Sequence, residues 1–253
     1  MLNSVVNFRD FGGFPSRFGG SVVRNRLFRS GAVASADQTD IKLLHDLDFD
    51  TVIDLRYAGE RDEEPSPWPV EKLDRVLCHD GDHKAEAPHM EPLRQGLLDE
   101  QGSDRIYREL YRALPFDQHY PALFKCTFER LLVADGPMLV HCSAGKDRTG
   151  MLVALIQHAL GVYPDAIMAN YMQSRHAPGL IAMAEPAALR LADRFGLPVN
   201  VELMRHLLDV KETYLLSFFD EIEQRCGTID AYLATLGLDE DAQVRLRARW
   251  LTA

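Results

Sequence analysis

The sequence predicts an α/β fold on three observations. Short β-branched or apolar runs alternate with helical apolar spacing through the first 160 residues. The stretch from 165 to 253 carries helical patterns only. A chain of 253 residues, 46% hydrophobic and 26% charged, is long and apolar enough for one large α/β domain with added helices.

In order along the chain, Val22-Val23 and Leu27-Phe28 read as short strands around a turn. Ser35 then caps a helix whose apolar face is Ile41, Leu43, Leu44 and Leu47. Thr51-Val52-Ile53-Asp54-Leu55 is a short buried strand. Pro65, Pro67 and Pro69 break any helix before a strand at Arg75 to Cys78. Asp80 to Glu91 is polar and reads as loop, followed by helices over Ile106–Leu114 and Leu123–Ala134. Met138-Leu139-Val140 is a strand, His141 to Arg148 a loop, and Thr149 to Leu160 an apolar helix. Helices are then expected over Asp165–Ser174, Ile181–Phe195, Val201–Cys226, Ile229–Leu236 and Asp239–Trp250. The whole of 1–253 reads as a single domain, with room for a helical lid or insertion within 165–205.

Charge narrows the function. Twenty-eight basic against 38 acidic residues give a formal net charge of -10, with no basic run, which argues against a nucleic-acid partner. No apolar run is long enough to span a bilayer, and Met1 to Gly12 lacks the basic flank and apolar core of a secretory signal. Cys78, Cys126, Cys142 and Cys226 form no CxxC pair and no zinc-ligand spacing. A reduced cytoplasmic protein is therefore expected, non-classical export aside.

The chemistry lies in His141-Cys142-Ser143-Ala144-Gly145-Lys146-Asp147-Arg148-Thr149-Gly150, with five residues between cysteine and arginine. The His, Cys, Gly and Arg of this pattern recur by chance on the order of once in several thousand chains. Strand, loop and helix N-terminus in succession make an anion site. The spacing lets the loop curl so that the amides of residues 143 to 148 face one phosphate. Gly145 permits a backbone angle that a side chain hinders. Arg148 can grip two phosphate oxygens with its planar fork. The same donors stabilise a thiolate at Cys142, which can attack phosphorus and form a cysteinyl-phosphate that water hydrolyses. No metal or other cofactor is required.

The candidate catalytic residues are thus Cys142, Arg148 and Asp147, the last as general acid. Ser143, Ala144, Gly145, Lys146, Asp147, Arg148 and Thr149 are the candidate substrate-binding residues. Asp80 and Asp82 are the alternative acids. Trp68-Pro69 is followed by Val70, so no Trp-Pro-Asp acid loop is present. Lys146 is expected at the rim, available to a second anionic group. The Thr149 hydroxyl can donate to the Cys142 sulfur, and His141 is expected to brace the loop through hydrogen bonds. Asp54, Arg56, Arg9 and Asp10 are expected to brace strands and loops, with direct substrate contact as the lesser reading. Met168, Met172 and Met183 are expected in a core, with an apolar lid as the lesser reading. Cys78, Cys126 and Cys226 are expected to be buried hydrophobes, with protection of an oxidised Cys142 as the lesser reading.

These residues resemble the cysteine-based protein tyrosine phosphatase superfamily, and more narrowly its atypical bacterial and fungal branch of tyrosine/lipid phosphatases, whose loop reads His-Cys-x-x-Gly-Lys-Asp-Arg-Thr-Gly. The likeness extends to Asn7-Phe8-Arg9-Asp10-Phe11-Gly12-Gly13, Phe28-Arg29-Ser30-Gly31, Val52-Ile53-Asp54-Leu55-Arg56 with Glu60-Arg61, and the C-terminal Ile229-Asp230-Ala231-Tyr232-Leu233. The resemblance implies a parallel-rich central sheet flanked by helices on both faces. It also implies Cys142 as nucleophile, Arg148 as phosphate binder and Asp147 as acid. The implied substrates are phosphotyrosine, phosphoserine or phosphothreonine, and phosphoinositides, the last associated with lysine at 146. The competing readings are a phosphate-binding module with little turnover and an arsenate- or sulfur-handling enzyme with a similar loop.

Overall fold

The computed structural model describes residues 2–79, 81 and 87–253. Its centre is a five-stranded sheet in the order β1-β2-β5-β3-β4, with β1 Arg9–Asp10, β2 Leu27–Ser30, β3 Thr51–Asp54, β4 Val76–Leu77 and β5 Met138–His141. Only β1 runs antiparallel; β2, β5, β3 and β4 are mutually parallel. Leu27 and Thr51 both align with Met138, so the three central strands end level at Ser30, His141 and Asp54.

The side-chain period of two divides these strands between two cores. Leu27, Ile53, Met138 and Val140 face one. Phe28, Val52 and Leu139 face the other. A parallel sheet buried on both faces explains why the strands read as unbroken apolar runs.

On the smaller face lies α1 (Gln38–Asp46), with Leu44 packed beside Phe49 and Val33. Its cap is Asp37, whose carboxylate accepts from the Asp40 amide, and not the expected Ser35. Asp40 is fully buried and accepts from the amides of Asn3 and Ser4 and from the Ser4 hydroxyl. That clamp ties the start of the chain against the sheet. The short α2 (Ala58–Glu63) follows β3, and α3 (Met90–Arg94) begins inside the stretch expected to be loop.

The larger face is built by α4 (Glu100–Ala113), α5 (Tyr120–Leu131), α6 (Asp147–Ala159) and the C-terminal helices. Helix α6 is buried on nearly every side, as its all-round apolar sequence requires. It starts at Asp147, so Asp147 and Arg148 occupy its first turn and not the loop. Beyond it come α7 (Pro164–Met172), α8 (Pro178–Ala182), α9 (Ala184–Phe195), α10 (Val201–Leu208), α11 (Glu212–Cys226), α12 (Ile229–Thr235) and α13 (Glu240–Trp250). The predicted helix 201–226 is two helices, divided at Asp209, whose carboxylate accepts from the Val210 amide and from Arg175.

Two further expectations are corrected. Val22-Val23 forms no strand, and Val22 instead makes an isolated bridge to Leu251 at the other end of the chain. Cys78 and Cys126 are exposed and not buried, and Cys226 is half-buried; no disulfide joins any of the four cysteines. Met168 and Met172 pack against the larger core. Among the described residues no helix is long and apolar enough to cross a membrane.

Candidate active site

The level ends of β2, β5 and β3 form a shelf, and the loop from Cys142 to Lys146 sits on it. Its carbonyl oxygens are held from outside. The Ser143 carbonyl accepts from the Ala32 amide at 2.9 Å. The Gly145 carbonyl accepts from Asn7 Nδ2 at 2.7 Å and from Arg29 at 2.8 Å, and the Ala144 carbonyl accepts weakly from Asn7. The amides of Ser143 to Thr149 are spent differently. Among the described residues none of them donates to a backbone or side-chain acceptor. A buried loop pinned through its oxygens, with its N–H groups unspent beside a helix N-terminus, is a receptor for an anion.

Gly145 makes the close seat possible. Its φ is +67°, and a Cβ there would lie 2.3 Å from the Ser30 carbonyl carbon and oxygen and 2.4 Å from the Gly31 nitrogen. Beneath the loop, Arg29 is fully buried and also donates to Asn170. Burial lowers its pKa to about 10, so it stays charged at neutral pH. Arg9 braces the same corner through the Asn170 carbonyl and the Ser174 hydroxyl. Burial first, and then the charge of Arg29, bring Arg9 down to about 8. Both N-terminal motifs thus serve the loop from behind.

Cys142 is 2% exposed. Arg148, six residues further on, is held by acceptors on three residues. Its Nη1 donates to Glu60 Oε2 at 2.6 Å and to the Leu55 carbonyl at 3.1 Å. Its Nη2 donates to Glu60 Oε1 at 3.0 Å and to Ser143 Oγ at 3.2 Å. Ser143 Oγ also donates to Glu60. Burial pushes the Glu60 carboxyl up, but the charge and hydrogen bonds of Arg148, with Ser143 and the Tyr57 amide, outweigh it and hold the pKa at about 2. The Tyr57 ring lies 4.8 Å from the guanidinium carbon.

Asp147 is held on the other side. Its Oδ1 accepts from the Tyr111 hydroxyl at 2.9 Å, and Lys146 Nζ lies 2.9 Å from Oδ2. Lys146 is not at a rim. It is 2% exposed, with its ammonium over the Tyr107 ring and donating to the Asp209 carbonyl at 3.0 Å. The Thr149 hydroxyl has no hydrogen-bond partner among the described residues, so the expected bond to the Cys142 sulfur is not made. His141 is fully buried without a hydrogen bond on either ring nitrogen, 3.7 Å from the Asp54 carboxylate. Burial lowers its pKa against the pull of Asp54, and it supports the strand end by packing as a neutral ring. Asp54 and Arg56 form a buried two-armed pair, as expected of bracing residues. The alternative acids Asp80 and Asp82 lie outside the described residues. Among those described, no group of His, Cys, Asp and Glu is placed to hold a metal ion.

Cys142, Asp147 and Arg148 lie in the one loop and first helical turn that the sequence singles out, whereas Glu60 was given no part in the site. The signal was present: a carboxylate four residues past a buried Asp-Leu-Arg strand end, in a stretch already resembling the phosphatase branch.

A cysteine and an arginine flanking an amide-lined loop, at the carboxyl end of a parallel sheet, define the class of cysteine-dependent phosphatases. Residues 1–252 match the tyrosine phosphatase family profile, and the chain belongs to that family. It is 31% identical over 244 residues to a Cupriavidus necator protein with a provisional tyrosine-protein phosphatase name, covering 96% of this chain and 86% of the relative. It is 28% identical to the triple specificity protein phosphatase PtpB of Mycobacterium tuberculosis, covering 97% and 96%. The core catalytic domain of the S. cerevisiae PP-IP phosphatase SIW14 shares 17% identity, covering 74% of this chain and 98% of its own, at a TM-score of 0.33, too low to carry weight. The chain is accordingly a phosphoric monoester hydrolase.

Proposed function

We propose that Cys142, Arg148 and Asp147 carry out the hydrolysis in two steps. The Cys142 thiolate attacks phosphorus, the ester P–O bond breaks, and Asp147 gives its proton to the departing oxygen. Water then attacks the cysteinyl-phosphate, Asp147 takes a proton from it, and the S–P bond breaks to release phosphate. The unspent amides of Ser143, Ala144, Gly145, Lys146, Asp147, Arg148 and Thr149 hold the equatorial oxygens through both steps, without reorganisation. Arg148 grips the phosphoryl group from the position that Glu60 fixes. The observation that carries this reading is the division of the loop, with its oxygens tied outward and its N–H groups left for an anion.

The substrate is a phosphotyrosine side chain first, with phosphoserine, phosphothreonine or a phosphoinositide also within the chemistry. The multiple specificity in the name of the mycobacterial relative supports that breadth. The buried Lys146 speaks against a lysine that reads a second phosphate from the rim. The chain acts as one domain, with α9, inside 165–205, as the proposed lid of the site. Helix α9 rests on the end of α2 through Arg190–Glu64 at 3.9 Å and Arg194–Glu63 at 3.5 Å. Such exposed pairs are weak, worth about 0–1 kcal/mol each, and suit a segment that opens.

The test is a radiolabelled aryl phosphate quenched in acid during turnover. Label is expected on Cys142 in the natural protein and none in Cys142→Ser, which should be inactive. Full turnover by Cys142→Ser would end the reading. A panel of phosphopeptides and phosphoinositides with Lys146→Ala should show equal losses, and a lipid-selective loss would restore the rim reading.

A further inference from the structure

Behind Asp147 lies a pair of tyrosines whose hydroxyls serve no packing need. Tyr111, on α4, and Tyr171, on α7, are almost completely buried. Their oxygens are 2.7 Å apart, and Tyr111 also stands 2.9 Å from Asp147 Oδ1. Gly150, one turn into α6, lets the Tyr171 ring come close, since a Cβ there would meet that ring at 2.8 Å.

Each hydroxyl has one proton, which fixes the direction of the chain. The Tyr171 hydroxyl has no acceptor other than Tyr111 among the described residues, so its proton goes to the Tyr111 oxygen. The Tyr111 proton then goes to Asp147 Oδ1. Burial first, and then the charge of Asp147, raise both tyrosines well above their ordinary pKa, so both remain donors at every working pH. The consequence falls on the acid. Were the carboxyl proton on Oδ1, it would be donated to Tyr111 and the Tyr111 proton to Tyr171, whose own proton would be left without an acceptor among the described residues. The proton is therefore directed to Oδ2. Lys146 has donors only and lies against both oxygens, donating to Oδ1 at 3.1 Å and standing 2.9 Å from Oδ2, so it takes the proton from neither and leaves the choice to Tyr111.

We propose that Tyr111, oriented by Tyr171, is a positioning residue that occupies one oxygen of Asp147 so that the other presents the proton to the leaving group. This rests on Asp147 acting as the general acid. It assigns no contact with substrate to either tyrosine.

The experiment compares kcat/KM for a series of phosphate esters whose leaving groups run from dinitrophenol through phenol to an alkyl alcohol. Natural protein, Asp147→Asn, Tyr111→Phe and Tyr171→Phe are measured, with thermal melting of each. General acid catalysis contributes roughly 10²–10⁴-fold where the leaving group is poor. Asp147→Asn should lose on the order of 10²-fold or more with phenyl and alkyl phosphates, the loss shrinking as the leaving group becomes more acidic. Tyr111→Phe should show the same slope with about a ten-fold loss at the poor end, and Tyr171→Phe a smaller loss in the same direction. A Tyr111→Phe loss that is equal for all leaving groups is a structural effect and overturns the proposal. If Asp147→Asn steepens the dependence and neither tyrosine variant does, the positioning role alone falls. If Asp147→Asn leaves the dependence unchanged, the acid assignment falls and the proposal with it. Should Tyr111→Phe fail to fold, Tyr171→Phe decides by the same slope.

Discussion

Replacing Glu60 by glutamine keeps the shape of the side chain and removes its charge from Arg148. The folded carboxyl is held at about 2 against an ordinary 4.5. That difference corresponds to about 3 kcal/mol of folding stability at pH 7. A depressed carboxyl contributes above its unfolded value and loses the contribution as pH falls toward its folded one. The window here runs from about pH 5 down to about pH 2, and at pH 3 about 1 kcal/mol should remain. Glu60→Gln is expected to be less stable than the natural protein by about 2–3 kcal/mol at pH 7 and by only about 1 kcal/mol at pH 3. Urea unfolding followed by circular dichroism at the two pH values measures both differences. Arg148 should also lose its fixed orientation, lowering kcat/KM about ten-fold. A loss below about 0.5 kcal/mol at pH 7, or a gap that does not narrow on acidification, would refute the idea that this ion pair organises the site.

Gly145→Ala should cost about 1–3 kcal/mol and most of the activity, since the added methyl meets the Ser30 carbonyl in a left-handed backbone; a melting scan and a turnover assay check it. Asp40→Ala should cost about 1–3 kcal/mol by leaving the Asn3 and Ser4 amides unpaired, with a parallel fall in phosphate or vanadate affinity as Asn7 loosens behind the loop. Arg29→Met should weaken oxyanion binding without altering leaving-group dependence, because it touches the loop carbonyls and not Asp147; titration with vanadate measures this.

What could be read in advance was local. The loop at 141–150 is ten consecutive residues, and the strand and helix around it are set by short apolar runs, so the fold around the loop was legible. β3 and the helical tail were legible for the same reason. Contacts between distant segments were not. Glu60 and Arg148 meet across 88 positions, and Arg29 and Gly145 across 116. Neither pairing leaves a periodic trace. Lys146 was misplaced because a lysine beside a phosphate loop suggests a solvent-facing cation, whereas the Tyr107 ring and the Asp209 carbonyl receive it inside. The break between α10 and α11 was missed because the Asp209 side chain ends the helix through bonds that carry no apolar signal.

The clamp of Asp40 on residues 3 to 5 has a practical side. Residues 2 to 8 form neither helix nor strand, yet Asn7 among them props the loop that follows Cys142. Trimming the first eight residues, or fusing a bulky tag directly onto them, should therefore dull the enzyme while sparing most of its secondary structure. An affinity handle would also be poorly tolerated at the opposite terminus, where Thr252 is stitched to Ser21. A loop insertion near the exposed Gly96 turn is the safer point of attachment, as a Cβ there would meet nothing within 4 Å.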